Sequence, residues 1–294
     1  MRKFVGIDIG GTNFRIGLAD SDGKIREFRK LPVKQVIHTD DVLEDIAKFI
    51  ESCTAGEELE AVAIGFPATL NRERTRVIQA PNLAFMENLP VVEYLTSRLN
   101  ARVFAERDVT FALCYDMKKY NVPHEGVITG IYFGTGVGNA IMIDGHYLTG
   151  RNGTAGELGH IPVSGNDDVC GCGLRGCIET LAGGKYLAAH FPADEIADVF
   201  VKHSAEVEGF ISKMADCVAV EVNILDPECV ILGGGVLNMR GFPRERLHTK
   251  ILEHVRRPYP AENLRIIYAA DEPDKSAQGA VYYAQEMLKA EGRQ

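Results

Sequence analysis

The chain has 294 residues, 46% hydrophobic and 25% charged, which is long enough for two domains of ordinary size and balanced like a soluble globular protein. A formal net charge of −9 excludes the basic stripe of a nucleic-acid surface. It leaves nucleotide binding open, because backbone amides, helix N-termini and Mg²⁺ hold phosphates without a basic face.

Met1-Arg-Lys-Phe-Val-Gly-Ile-Asp8 leads directly into an expected strand, without the long apolar core and cleavage site of a signal peptide. Apolar runs such as 61–64 are far too short to span a bilayer. The expectation is a cytoplasmic protein with neither a membrane nor a nucleic-acid partner.

Val5-Gly-Ile-Asp8-Ile-Gly10-Gly11-Thr12-Asn13-Phe-Arg-Ile-Gly-Leu reads as a strand, a glycine turn and a second strand, closing at Asp20-Ser-Asp-Gly23. Over 41–51, Val42, Leu43, Ile46, Phe49 and Ile50 share one helical face. The strand Arg102-Val-Phe-Ala precedes a helix expected over 108–120, with Asp108 as its N-cap.

Gly130-Ile-Tyr-Phe-Gly134-Thr135-Gly136-Val-Gly138-Asn139-Ala-Ile-Met-Ile then repeats the first device and closes at Asp144-Gly145. Such turns let backbone N–H groups and a threonine hydroxyl approach a polyphosphate that side chains would block. A helix follows over 210–225, then the strand Cys229-Val-Ile-Leu, a third glycine run at Gly233, Gly234 and Gly235, and a last helix over 276–290 with Ser276 at its N-cap. The alternation of strands and helices predicts the α/β class, and the repeat predicts a duplicated architecture. Because Gly10-Gly11-Thr12 enters a strand rather than a helix, the turn is not a Rossmann fingerprint.

Between the second turn and the 210–225 helix lies Glu157-Leu-Gly-His160 … Cys170-Gly-Cys172-Gly-Leu-Arg-Gly-Cys177-Ile-Glu179. Cys170, Cys172, Cys177 and His160 match one closed tetrahedral zinc site in charge and ligand number. The alternative is a disulfide pair with a spare thiol, which the close spacing of Cys170 and Cys172 and the compartment disfavour. Cys53, Cys114, Cys217 and Cys229 stand singly in apolar or helical contexts and are expected as reduced core residues.

Asp8-x-Gly-Gly-Thr12, Phe-Gly134-Thr-Gly-x-Gly138, Glu157-x-Gly-His160, the Cys-x-Cys-Gly-x-x-Gly-Cys-x-Glu run and Ile-Leu-Gly-Gly-Gly235 together resemble the ROK family of repressors and sugar kinases. The likeness spans nearly the whole chain. It implies an actin-like ATPase (ribonuclease H-like) fold, with residues 1–108 plus about 277–294 as a small domain and 109–276 as a large one. It further implies ATP and a hexose as small-molecule partners, catalytic Mg²⁺, structural Zn²⁺ and, commonly, a homodimer.

Within the family, Gly65-Phe-Pro-Ala68, Pro81-Asn82-Leu83 and Arg107-Asp108-Val109 look most like the D-allose kinase branch. Arg107 and Ala68 stand where most of the glucokinases carry Asn and Gly.

The resemblance implies a role for each matched position. Asp108 becomes the catalytic base. Asn82, Glu157, His160 and Glu179 become sugar-hydroxyl ligands, with His160 also on zinc. Asp8, Gly10, Gly11, Thr12 and Asn13 fall at the phosphates, Gly134, Thr135, Gly136 and Gly138 in the facing loop, and Gly233, Gly234 and Gly235 beside adenosine at a helix N-terminus. The repressor branch needs a DNA-binding segment before Asp8, and a chaperone- or cytoskeleton-type ATPase would not need the zinc-flanking glutamates.

Overall fold

The first strands, Lys3–Ile9 (β1), Asn13–Ala19 (β2) and Ile25–Pro32 (β3), form an antiparallel meander; Val5, Ile7 and Ile9 alternate along β1 and Phe14, Ile16 and Leu18 along β2, while β3 lies mostly exposed at the edge. After the helices Val33–Val36 (α1) and Val42–Thr54 (α2) comes Leu59–Phe66 (β4), parallel to β1. The strands Thr69–Leu70 (β5) and Val77–Gln79 (β6) form a small hairpin. Val91–Leu99 (α3) leads to Arg102–Arg107 (β7), parallel to β4, so the sheet order is β3-β2-β1-β4-β7. Asp41 caps α2 by accepting the Glu44 N–H at 3.3 Å.

The computed structural model describes residues 2–292, and they divide into two units. The first runs to Asn121 and adds Thr149–Ala155 and the chain from Glu272. It therefore includes Asp108–Lys119 (α4), whereas the sequence reading opened the second domain at 109. The reason is the packing of α4 on the C-terminal helix Lys275–Glu291 (α10). Gly279 has no room for a Cβ, which would lie 2.0 Å from the Phe111 carbonyl oxygen, and Lys275 Nζ reaches Asp116 Oδ2 at 2.6 Å in a buried pair. Gly6 gives the same closeness on the sheet side, since a Cβ there would lie 2.0 Å from the Ala277 oxygen. Ile7, Ile9, Phe14, Ile16, Ile46 and Ile50 are fully buried in this unit, each contributing about 1.5–3 kcal/mol.

The second unit repeats the topology. Val127–Phe133 (β8), Val137–Ile143 (β9) and His146–Tyr147 (β10) form the meander, with Asp144 and Gly145 both at positive φ in the two-residue turn. The short helices Glu179–Ala182 (α5), Gly184–His190 (α6) and Val199–Lys202 (α7) precede the long helix Glu208–Leu225 (α8). Cys229–Gly233 (β11), Arg244–His254 (α9) and Ile266–Tyr268 (β12) complete the order β10-β9-β8-β11-β12. Its core gathers Phe133, Phe210, Met214, Val218, Val230 and Leu232.

Cys53, Cys114, Cys217 and Cys229 are all buried, as expected. Among the described residues no helix is long and apolar enough to cross a membrane.

Candidate active site

In the first unit the candidate residues collect at the C-terminal ends of the parallel strands, where ligands bind in open α/β sheets. Asp8, near the end of β1, is buried and faces Arg15 across the β1–β2 pair, with Arg15 Nη1 donating to Asp8 Oδ2 at 2.8 Å. The Ser276 hydroxyl also hydrogen-bonds Asp8. Burial pushes the Asp8 carboxyl up from its ordinary pKa, and Arg15 and Ser276 oppose the shift.

The turn between β1 and β2 closes through the Gly10 N–H on the Asn13 carbonyl at 2.9 Å, leaving Gly11 and Thr12 exposed. Gly11 lies against the second candidate segment, because a Cβ there would be 3.3 Å from Asn82 Cβ.

Asp108 is the first residue of α4 rather than its N-cap; Arg107 holds that place in extended conformation, and Asp108 Oδ1 accepts the Val109 N–H at 2.9 Å. Ser276 is likewise the second residue of α10, after the N-cap Asp274, so both expected caps lie inside their helices. Burial, and then the nearby Asp8 carboxylate, raise Asp108 to about 6. A carboxylate poised there is a competent proton acceptor near neutral pH. Gly65, at the end of β4, permits the approach of α4, since a Cβ would meet the Phe111 ring at 2.9 Å and Asp108 Cα at 3.5 Å.

Sequence reasoning did not single out Arg15, Arg74 or Glu106. Glu106 is nearly inaccessible; its Oε1 accepts the Arg107 N–H at 2.7 Å, and its Oε2 pairs with Arg74 Nε at 2.9 Å. Arg74 Nη1 also donates to the Gly153 carbonyl at 2.8 Å. The one legible signal was Arg15, a charge set in an otherwise apolar strand. Arg107 is buried, directly before Asp108.

In the second unit, the turn of Gly134, Thr135 and Gly136 closes through the Gly134 N–H on the Gly136 carbonyl at 3.0 Å. Gly138 follows in β9, opposite Tyr132. Gly234, at φ +96°, packs so tightly on the Phe133 backbone that a Cβ would lie 2.4 Å from its oxygen. The third glycine run, Gly233 to Gly235, opens a four-residue 3₁₀ turn, Gly235–Asn238, in place of the expected helix.

His160, Cys170, Cys172 and Cys177 converge, with one donor atom from each within 4.8 Å of all the others. Zinc–sulfur bonds of about 2.3 Å at tetrahedral angles set neighbouring sulfurs about 3.8 Å apart. Cys172 Sγ and Cys177 Sγ are 3.7 Å apart, and Cys170 Sγ lies 3.5 Å from His160 Nδ1. The three thiols are unbridged, so the disulfide alternative is not what the chain adopts. The donor set and spacing fit a tetrahedral cation.

Both flanking glutamates lie against this cluster: Glu157 Oε2 is 3.6 Å from His160 Nε2, and Cys170 Sγ donates to Glu179 Oε1 at 2.9 Å. Nδ1 of His160 thus faces the sulfurs and Nε2 faces Glu157.

Two sheets of one topology, each with a glycine turn joining its central antiparallel pair, are the architecture of the actin-like ATPase fold, and the chain falls in that class. The model of the ROK family matches residues 4–287, and the chain belongs to that family. A glucokinase of Thermotoga maritima is 30% identical over 282 residues, covering 86% of this chain and 88% of that protein. An N-acetyl-D-glucosamine kinase of Yersinia pseudotuberculosis is 29% identical over 290 residues, covering 90% of each. The crystal structure of a ROK hexokinase from Thermus thermophilus superposes with a TM-score of 0.79 at 27% identity, covering 98% of this chain and 99% of that one.

Proposed function

We propose that this ROK-family chain is an ATP-dependent sugar kinase that transfers the γ-phosphoryl group of ATP to the 6-hydroxyl of an aldohexose, with D-allose the preferred acceptor. The observation that carries the reading is the Asp108 carboxylate, raised to about 6 at the end of β7 and accompanied by Asp8. Asp108 takes the proton of the attacking hydroxyl, the oxygen–phosphorus bond to the sugar forms, and the bond to the β-phosphate oxygen breaks to release ADP. Positioning and charge stabilisation supply most of the acceleration in such transfers.

Asp8, Gly10, Gly11, Thr12 and Asn13 are assigned to the β- and γ-phosphates, and Gly134, Thr135, Gly136 and Gly138 to the second phosphate turn. Gly233, Gly234 and Gly235 are assigned to adenosine. Asn82, Glu157, His160 and Glu179 serve as sugar-hydroxyl ligands. Bound Mg²⁺ would offset charge on the transferring phosphates, and Asp8 is the carboxylate that would hold it. His160, Cys170, Cys172 and Cys177 would hold Zn²⁺ as a brace, leaving His160 Nε2 toward Glu157 and the sugar. A cytoplasmic homodimer completes the proposal.

D-allose is preferred on the segments 65–68, 81–83 and 107–109, where Ala68 and Arg107 replace the residues most of the family's glucokinases carry. A second reading, glucose or an N-acetylated hexosamine, is favoured by the names of the similar proteins. Initial rates of ADP release with allose, glucose, mannose, N-acetylglucosamine and N-acetylmannosamine decide between them: allose should give the highest kcat/KM, and a higher value for any other sugar overturns the substrate assignment. Asp108→Asn should lower kcat by about 10³-fold while sugar binding persists, and turnover within a few-fold of wild type removes the base.

A further inference from the structure

The side chain of Glu179 is only 19% exposed and is divided between two neighbours of different kind. Oε1 lies on the cluster side, 3.9 Å from His160 Nδ1, and accepts the Cys170 thiol at 2.9 Å; a metal on Cys170 would take that proton's place and release the carboxylate toward the turn. Oε2 accepts the N–H of Val137, the residue that leaves the phosphate turn, at 3.4 Å. Gly136 makes room for that oxygen, because a Cβ there would lie 2.2 Å from it.

The main chain around Glu179 grips the same turn. The Gly184 N–H donates to the Gly134 carbonyl at 2.8 Å and the Lys185 N–H to the Thr135 carbonyl at 3.0 Å. A Cβ on Gly183 would lie 2.8 Å from the Thr135 oxygen, and one on Gly159, beside His160, 2.5 Å from the Val137 oxygen. Both segments that carry cluster donors, one ending at His160 and one passing from Cys177 to Glu179, therefore press on the turn. Fixing four donors in one tetrahedron fixes both segments, and with them the direction of the turn's amides.

We infer that Glu179 is a positioning residue that couples the Cys/His cluster to the phosphate turn, so that metal held by the cluster tightens nucleotide binding even when no sugar is present. This rests on the proposed assignment of zinc to the cluster and of ATP phosphates to the turn. Coupling of this kind is reciprocal: nucleotide must tighten metal binding by the same factor.

The test measures binding of a non-hydrolysable ATP analogue with Mg²⁺ to the intact chain without sugar, by calorimetry, in zinc-loaded and chelator-stripped forms of measured zinc content. The dissociation constant should rise on the order of tenfold on stripping, and competition with a chelating dye should show the analogue strengthening zinc retention by the same factor. Glu179→Ala should keep stoichiometric zinc while the factor falls at least about threefold, leaving only the share carried by the main-chain contacts, an outcome that general destabilisation of the loop does not produce. If that variant does not fold, Glu179→Asp, which keeps the charge but is one methylene too short for Val137, takes its place, with the factor cut by at least about threefold.

Equal analogue affinity of loaded and stripped wild-type chain overturns the inference while leaving the kinase reading intact, as does an undiminished factor in the folded Glu179 variant. Absence of stoichiometric zinc overturns the inference together with the zinc assignment, and absence of analogue binding overturns it together with the kinase reading.

Discussion

The two glycine turns begin as copies and end as different devices. Between paired Ile9 and Phe14 the first turn spans four residues, and between paired Phe133 and Val137 the second spans three. The missing residue changes what lies across each strand pair. Asp8 faces Arg15 in the first sheet, whereas Tyr132, in the equivalent place, faces Gly138 in the second. The first turn thus stands beside an ion pair and is open at Gly10, where a Cβ would meet only ordinary contacts at 3.5 Å or beyond, with Asn82 against Gly11. The second has Tyr132 opposite Gly138 in that place and is gripped by the Glu179 carboxylate at Gly136 and by close backbone approach at Gly183 and Gly159. Duplication supplied the backbone; charge specialised one copy and packing the other.

The largest test of the charge-organised unit is Lys275→Met. Its ammonium partners Asp116, whose side chain is fully buried, and the pair indexes α4 against α10. Removing the cation takes the ammonium away from a buried carboxylate and should cost about 3–5 kcal/mol, read as a lower urea midpoint. A loss under about 1 kcal/mol would show that packing at Gly279 suffices to hold α4.

Next in size is the contrast within the packed turn. Gly183→Ala, pressed against that turn, would set a Cβ 2.8 Å from the Thr135 and Glu179 backbone oxygens, at a cost of about 1–3 kcal/mol. Gly134→Ala meets nothing within 4 Å and Gly10→Ala little more, so both should stay within about 0.5 kcal/mol of wild type. Equal melting shifts for all three would erase the distinction between an open turn and a gripped one.

What could be read beforehand follows the range of the interactions. The repeated turns, the converging Cys/His donors and the helix capped by Asp41 are local or carried by one short run, so residue type and spacing were enough. The strand before it marks Asp108 only as a helix start, and the family resemblance makes it the base; its displacement from cap to first helical residue depends on how Arg107 extends out of β7. Arg74 could not be found this way. It sits in a left-handed conformation, at φ 56°, and meets Glu106 across 32 residues of sequence, so no local pattern marks it. Ser276 was legible as a helix start and not as a partner of Asp8, because that contact exists only once α10 packs on the first sheet. The third glycine run was expected to open a helix; the chain instead reaches Met239 after a single 3₁₀ turn.

The smallest effect is the most diagnostic of the charged copy. With Asp108 raised to about 6, kcat/KM should fall as pH drops through that value, because the base is then protonated in the free enzyme. Stability runs the other way. A carboxyl whose folded pKa lies above its unfolded value, 3.8, favours the fold below that value, and the benefit disappears as pH rises through 6. Asp108→Asn should therefore raise the melting temperature at pH 8 while lowering kcat by about 10³-fold, and leave the melting temperature nearly unchanged at pH 4. Asp8→Asn removes the neighbouring negative charge that helps hold Asp108 up, so the acid limb of kcat/KM should move to lower pH. An acid limb that stays in place would assign the shift to burial alone and make Asp8 a ligand with no hand in tuning the base.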